Sequence, residues 1–276
     1  MSSGNSAHAE GYNTEASGFA AHAEGGGSSS TMNPKLTLAS GDYSHAEGQE
    51  TTASGSASHS EGYNTTASGL QSHAEGLSTT AKGHRSHTEG RNTSASANQS
   101  HAEGDGSKAD GINSHAEGEA TRTVGIASHA EGRKTRASGE VAHSEGDETI
   151  ANGYASHAEG DAYEHTTYDG DGNPASMYYY TTAEGQASHA EGMGTRASGV
   201  SSHAEGIATN NPSYLYGLDG NDTVLLTEAL GDGSHAEGVG TSASGKGSHA
   251  EGLSIFMEVA TGDGDYDGNG IENMVA

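Results

Sequence analysis

The amino-acid sequence predicts an all-β fold: a parallel β-solenoid of the β-roll kind, with two short strands per 14-residue turn. Three observations carry this. His-x-Glu-Gly recurs fifteen times, and from Ser44 to Gly160 the His residues of successive motifs stand fourteen apart without exception. Only 30% of the 276 residues are hydrophobic, with 44 Gly, two Phe and no Trp. A compact domain runs nearer half apolar, so a thick oily core is excluded. Low hydrophobicity with a net charge of -27 would ordinarily suggest disorder, but disorder has no use for register. Finally, each unit holds two five-residue runs closed by Gly, too short for helices and suited to strands.

The unit Thr65 to Gly76, TTASGLQSHAEG, shows how each element arises. Side chains alternate faces along a strand. In the first run Thr65, Ala67 and Gly69 share a face whose columns stay small: the Ala column breaks only at Thr123, and the Gly column only at Ala97. The opposite face carries Thr66, Lys82, Lys108, Arg122, Arg136, Ile150, Arg196 and Glu228 in equivalent turns. Uniform and small means interior; variable and charged means solvent. In the second run Ser72, Ala74 and Gly76 are expected inside, since their columns stay small at Ser58, Ser60, Thr88 and Ser144. His73 and Glu75 then point outward, yet they never vary. Something constrains an outward face in every turn, and the simplest supplier is another copy of the chain.

The candidate intermolecular axis is therefore His45, Glu47, His59, Glu61, His73, Glu75, His87, Glu89, His101, Glu103, His115, Glu117, His129, Glu131, His143, Glu145, His157 and Glu159. Imidazole from one chain satisfying carboxylate of another would depress the Glu pKa values and raise those of His. Three His per layer could ligate Zn²⁺ or Ni²⁺. The adjacent Glu already offers each His a partner, however, and no resident metal or cofactor is expected. Asp169 and Asp171, and Asp263, Asp265 and Asp267, are weak Ca²⁺ candidates. In the second set position twelve is Met274, where an EF-hand needs Glu.

Three intervals are longer, and all add residues at one corner, after the Gly of His-x-Glu-Gly. The roll is thus expected over 1–252, with inserts at 26–36, 161–180 and 207–226. A cap or junction with an acidic tail is expected over 253–276, where Ile255, Phe256, Met257 and Val259 replace Thr, Ala and Gly. The two long inserts hold seven of the twelve tyrosines: Tyr163, Tyr168, Tyr178, Tyr179, Tyr180, Tyr214 and Tyr216. Each places Tyr or β-branched runs around an Asp-Gly turn, the pattern of a hairpin. Tyr suits sugar stacking and chain-to-chain packing alike, so these seven are candidate receptor or glycan contacts and both readings stand.

The stretches NTTASGLQSHAEG and GTRASGVSSHAEG resemble the head repeats of trimeric autotransporter adhesins, the YadA-like head. Repeats ending in SHAEG also resemble shaft modules of phage and prophage tail proteins. The resemblance covers roughly His8 to Gly252. It implies a left-handed roll and a homotrimer with inner strands meeting at a three-fold axis. His and Glu stand here where that family usually has Val or Ile.

Catalysis is not expected. Ser72 and His73 are consecutive strand residues on opposite faces, so the hydroxyl cannot reach its own imidazole. No phosphate loop or nucleotide fingerprint occurs, and there is no Cys. The expected role is a structural fibre or shaft and attachment protein, fibre-like or adhesin-like, at a virion tail or cell surface. The alternative is a carbohydrate-binding module acting through the Tyr-rich inserts. The expected partners are the chain itself and a surface glycan or protein receptor. A strongly acidic chain repels nucleic acid, no run is long enough to span a bilayer, and Met1–Glu10 lacks a basic, apolar leader pattern.

Overall fold

The computed structural model describes residues 1–28, 35–168, 173–210 and 224–253. They fall in two compact units, Met1–Arg133 and Lys134–Ala276. Each is an all-β parallel β-solenoid with two strands per 14-residue turn, and no helix occurs among the described residues. Consequently no helix there is long and apolar enough to cross a membrane.

In the first unit nine strands that each begin at the motif histidine, from His8–Tyr12 to His129–Arg133, pair in parallel. Eight shorter strands, from Thr14–Ala16 to Arg122–Thr123, form the second sheet. The second unit has six strands of each kind, running from His143–Asp147 to His249–Leu253 and from Arg136–Ala137 to Ser242–Ala243. Register is like on like: His59 pairs with His73, Ser60 with Ala74 and Glu61 with Glu75. Extra residues do not disturb it. His22 still pairs with His45, His157 with His189 and His203 with His235. Insertions at a corner leave the ladder's hydrogen bonds in place, so the sheets tolerate them.

The interior is as thin as composition demands. Ala67, Ala74 and Ala81 are fully buried, and the largest fully buried side chains are all threonines. So little apolar area makes hydrogen bonding the organising force. In twelve turns a Ser precedes the motif His, turns inward and donates to the carbonyl three residues back, which belongs to Gly in all but Ser100, where it is Ala97. The distance is 2.7 Å for Ser58 to Gly55 and 2.8 Å for Ser72 to Gly69. Thr37 donates to the Gly26 and Gly48 carbonyls at 3.0 and 3.1 Å. Many buried hydroxyls thus take partners from the coil itself, whereas those of Thr51, Thr79, Thr88, Thr135 and Thr195 make no hydrogen bond.

Two features depart from the sequence expectation. Gly76, expected inside, is exposed, with φ of +104°. A Cβ there would lie 2.2 Å from the Gly90 carbonyl oxygen of the next turn, so closeness of stacked backbone, not burial, keeps this column glycine. The corners are also unusual. Up to Ser201 the turns place non-glycine residues in the left-handed region, such as Gln71 and Ser78, both at φ of +57°, whereas Gly233, Gly240 and Gly247 take the corner positions beyond it. Their amides donate to the previous turn, Gln71 to the Ser56 carbonyl and Ser78 to the Tyr63 carbonyl, each at 2.9 Å. That ladder holds a conformation costing about 1–2 kcal/mol per L-residue.

Candidate functional sites: a histidine–glutamate column and a clamped hairpin

Along His73–Leu77 the inward residue is Ala74, and alternation turns His73 and Glu75 out. Repeated in register, this builds a column of imidazoles beside a column of carboxylates within each unit. Every axis candidate from His45 to Glu131 stands in the column of the first unit, and those from His143 to Glu159 stand in that of the second. Neighbouring rings are parallel and in contact. His45 and His59 stack at 4.8 Å and 1°, His101 and His115 at 4.6 Å and 6°, and His157 and His189 at 4.8 Å and 0°.

Carboxylates such as Glu103 and Glu159 each lie between two rings. Glu103 is 3.7 Å from the Nε2 of His101 on its own strand and 3.9 Å from that of His115 on the next. Glu159 is 3.9 Å from His157 Nε2 and 3.5 Å from His189 Nε2. The Nε2 atoms of His45, His59, His73, His101 and His115 are shielded from solvent and make no hydrogen bond, although each side chain is about a third exposed.

The electrostatics reverse the expected direction for most resolved groups. Burial and then the neighbouring imidazoles lower the pKa of His45, His101, His157 and His203. Burial and then His87 lower that of His73. Burial, followed by carboxyl–carboxyl hydrogen bonds to Glu89, pushes Glu75 and Glu103 up to about 7. Glu89 moves down, because it accepts from Glu103 and, more weakly, Glu75. The expected depressed Glu and raised His values are therefore corrected for this single chain at every one of these groups except Glu89. The reason is geometric: register puts like on like at one strand spacing, and like neighbours combine with burial to outweigh the opposite charge across the face.

The second candidate site is the first long insert. Tyr163–Tyr168 and Pro174–Tyr179 form an antiparallel hairpin, with Tyr163 opposite Tyr179 and His165 opposite Met177. Alternation sends Tyr163 and His165 to one side, where Asn210 from the start of the other long insert meets both. Tyr163 Oη donates to Asn210 Oδ1 at 2.7 Å, and Asn210 Nδ2 donates to His165 Nδ1 at 2.6 Å. His165 is only 4% exposed. Tyr163 also crosses Gly194, where a Cβ would come within 2.6 Å of the Tyr163 Cβ. The other side of the hairpin faces solvent, with Tyr178 47% and Tyr180 45% exposed. Tyr178 Oη donates to Glu164 Oε1 at 3.2 Å. Tyr179 is half-buried, and Tyr168 ends the first strand. At the second long insert Thr209 and Leu225 form an antiparallel bridge.

Sequence reasoning did not single out His165 or Asn210. They are 45 residues apart, and a lone His in a hairpin run carries no signature. Tyr214, Tyr216, Asp169, Asp171, Asp263, Asp265 and Asp267 lie outside the described residues, as does the expected cap and tail beyond Leu253.

No protein-family profile matches this chain, and a search of curated proteins finds no match.

Proposed function

We propose that this chain is a non-enzymatic structural shaft and attachment protein, assembled as a homotrimer of left-handed β-rolls packed through their His/Glu faces. The observation that carries the reading is the column itself. Fifteen turns keep His and Glu on an outward face that is neither fully solvated nor covered by the rest of the chain. A solvated decoration would drift as the Lys/Arg/Glu column of the other sheet does. A face shared with two further copies would not, since a buried polar network fixes register between chains. The resemblance to trimeric adhesin heads and phage shaft repeats supports the same assembly, and with it an extracellular place on a virion tail or cell surface. Solution mass by light scattering tests it. Three times 27.7 kDa is expected, and a monomer at micromolar concentration would overturn it.

A second reading is favoured by one specific observation. Tyr178 and Tyr180 stand exposed on the outer side of the hairpin, with the Tyr178 hydroxyl tied to Glu164. A flat aromatic face beside a carboxylate acceptor is the chemistry that holds a sugar ring. In this reading the roll is support, and the Tyr-rich inserts bind a surface glycan or protein receptor. Glycan-array binding lost in Tyr178→Ala and Tyr214→Ala would favour it, and unchanged binding would remove it.

A further inference from the structure

The spacing within the column points to an unassigned use of the same face. A charge-assisted hydrogen bond between imidazole and carboxylate closes to about 2.7–2.9 Å. Here, where an Nε2 comes within 4 Å of a carboxylate, the distance runs from 3.5 to 3.9 Å. Two ligands of one Zn²⁺-like ion, each about 2.1 Å from the metal, stand at that separation when they subtend roughly 115–140°. In the groups His101, Glu103, His115 and their equivalents the three donor atoms lie within 4.8 Å of one another. The shielded Nε2 atoms make no hydrogen bond, so the lone pair of a neutral imidazole protonated at Nδ1 is uncommitted.

We propose that adjacent turns of the column form a series of divalent transition-metal sites. In each, a Glu carboxylate and the Nε2 atoms of the His on its own strand and the next hold one ion. His101, Glu103 and His115 make one such set; His157, Glu159 and His189 make another. Two imidazoles and one carboxylate suit Cu²⁺, Ni²⁺ and Zn²⁺, whereas Ca²⁺ and Mg²⁺ require oxygen donors. The two nitrogens must close by about 1 Å to share an ion, which ring tilting supplies. The column permits tilt: His8 and His22 are inclined at 35°, and His235 and His249 at 41°. The overall charge of -27 favours any cation, but only the nitrogen donors select among them.

A stoichiometry follows. Nε2 offers one lone pair, so each ion consumes two histidines. Nine motif histidines in the first unit allow at most four ions, and six in the second allow at most three. Each site is built from one chain's own residues, so the inference does not rest on the trimer.

The test uses the untagged full chain, stripped of metal, with Zn²⁺ and Ca²⁺ titrated separately and bound metal counted after gel filtration. Saturable Zn²⁺ uptake of several and at most seven ions per chain is expected, with Ca²⁺ washed away. Equal retention of Ca²⁺, no retained Zn²⁺, or Zn²⁺ beyond seven would overturn the proposal. His101→Phe keeps the ring stack and removes one Nε2; with His115→Phe it should lower the Zn²⁺ count by at least one. If those variants fail to fold, X-ray absorption on the unaltered Zn²⁺-loaded chain decides. Two imidazoles per zinc support the sites, and an oxygen-only shell refutes them. Light scattering on the metal-free sample reads the trimer independently, so either idea can fail alone.

Discussion

Thr88 is the single threonine in a column that otherwise holds Ala, with Ser at Ser60 and Ser144. All are fully buried. The serines are accommodated: Ser60 Oγ lies 2.8 Å from Thr65 Oγ1, and Ser144 Oγ 2.8 Å from Thr149 Oγ1. Thr88 Oγ1 is buried and makes no hydrogen bond, while its neighbour Thr93 donates to the Glu89 carbonyl at 3.0 Å. The strand there shrinks to His87–Thr88, against five residues in His73–Leu77 and His101–Asp105. Thr88→Ala removes an unsatisfied hydroxyl, worth about 1–3 kcal/mol, and loses one methyl's burial, worth about 0.8 kcal/mol. Ala fits without a new void, since Ala74 and Ala102 flank it in the same column. A net gain of about 0.5–2 kcal/mol follows, or about 2–4 °C in Tm per kcal/mol. Thermal and urea unfolding measure it, and hydrogen exchange should slow at the amides of Glu89 to Arg91. Ser60→Ala is the control, expected to cost about 1 kcal/mol by deleting a satisfied bond. A destabilised Thr88→Ala, or equal effects of the two changes, would refute the argument that hydroxyl satisfaction governs this interior.

Val141 sits at a corner with φ of +51°, where a β-branched residue is strained, and Val141→Asn should stabilise by about 1 kcal/mol in calorimetry. Asn210→Leu breaks both clamp bonds, and hydrogen exchange across Tyr163–Tyr168 should accelerate while the ladder from His189 to Met193 is unchanged. The column makes a pH prediction with two opposed parts. Glu75 and Glu103 have folded pKa values of about 7 against an ordinary 4.5, so their stabilisation is full below 4.5 and is lost as pH rises to about 7. His45, His73 and His101 have lowered values, so their stabilisation is full above 6.5 and is lost as pH falls through their folded values. Glu75→Gln in metal-free buffer should therefore raise Tm at about pH 8 and leave it unchanged near pH 4. A carboxyl NMR titration of Glu75 with its midpoint below about 5 would contradict this.

The period made the turn, the two sheets and the like-on-like register legible, because small residues at every second position can only be a thin interior. The corners were hidden for a physical reason. Apart from Asn13, Asn64, Asn92 and Asn113, most non-glycine left-handed positions carry residues such as Gln71, Arg85 and Glu50 that announce no turn, since ladder hydrogen bonds impose the conformation. Gly76 was misread because small size has two causes, burial and backbone proximity, and only the second applies. The outward placement of His73 and Glu75 was readable from alternation. Their electrostatics were not, because the repulsion arises between like residues stacked one strand apart, a relation that alternation along one strand does not contain.

That stack motivates the two proposals for what meets the column. Each imidazole has like neighbours above and below at about one strand spacing. The carboxylates repeat the same arrangement, and burial together with those like neighbours is why Glu75 and Glu103 keep protons to about 7. A monomer could relieve this by varying the residues, as the Thr80, Ser94, Lys108, Arg122 column of the other sheet does. The His/Glu columns do not vary, so their relief is proposed to come from elsewhere, as neighbouring chains or as metal ions between rings. The two sources leave different marks. Relief by chains makes the Glu75 titration midpoint depend on protein concentration, falling as trimer replaces monomer. Relief by ions makes it depend on Zn²⁺ at fixed protein concentration. A midpoint indifferent to both would leave the column bearing its own repulsion, and the reason for its invariance would have to be sought in the folding of the coil.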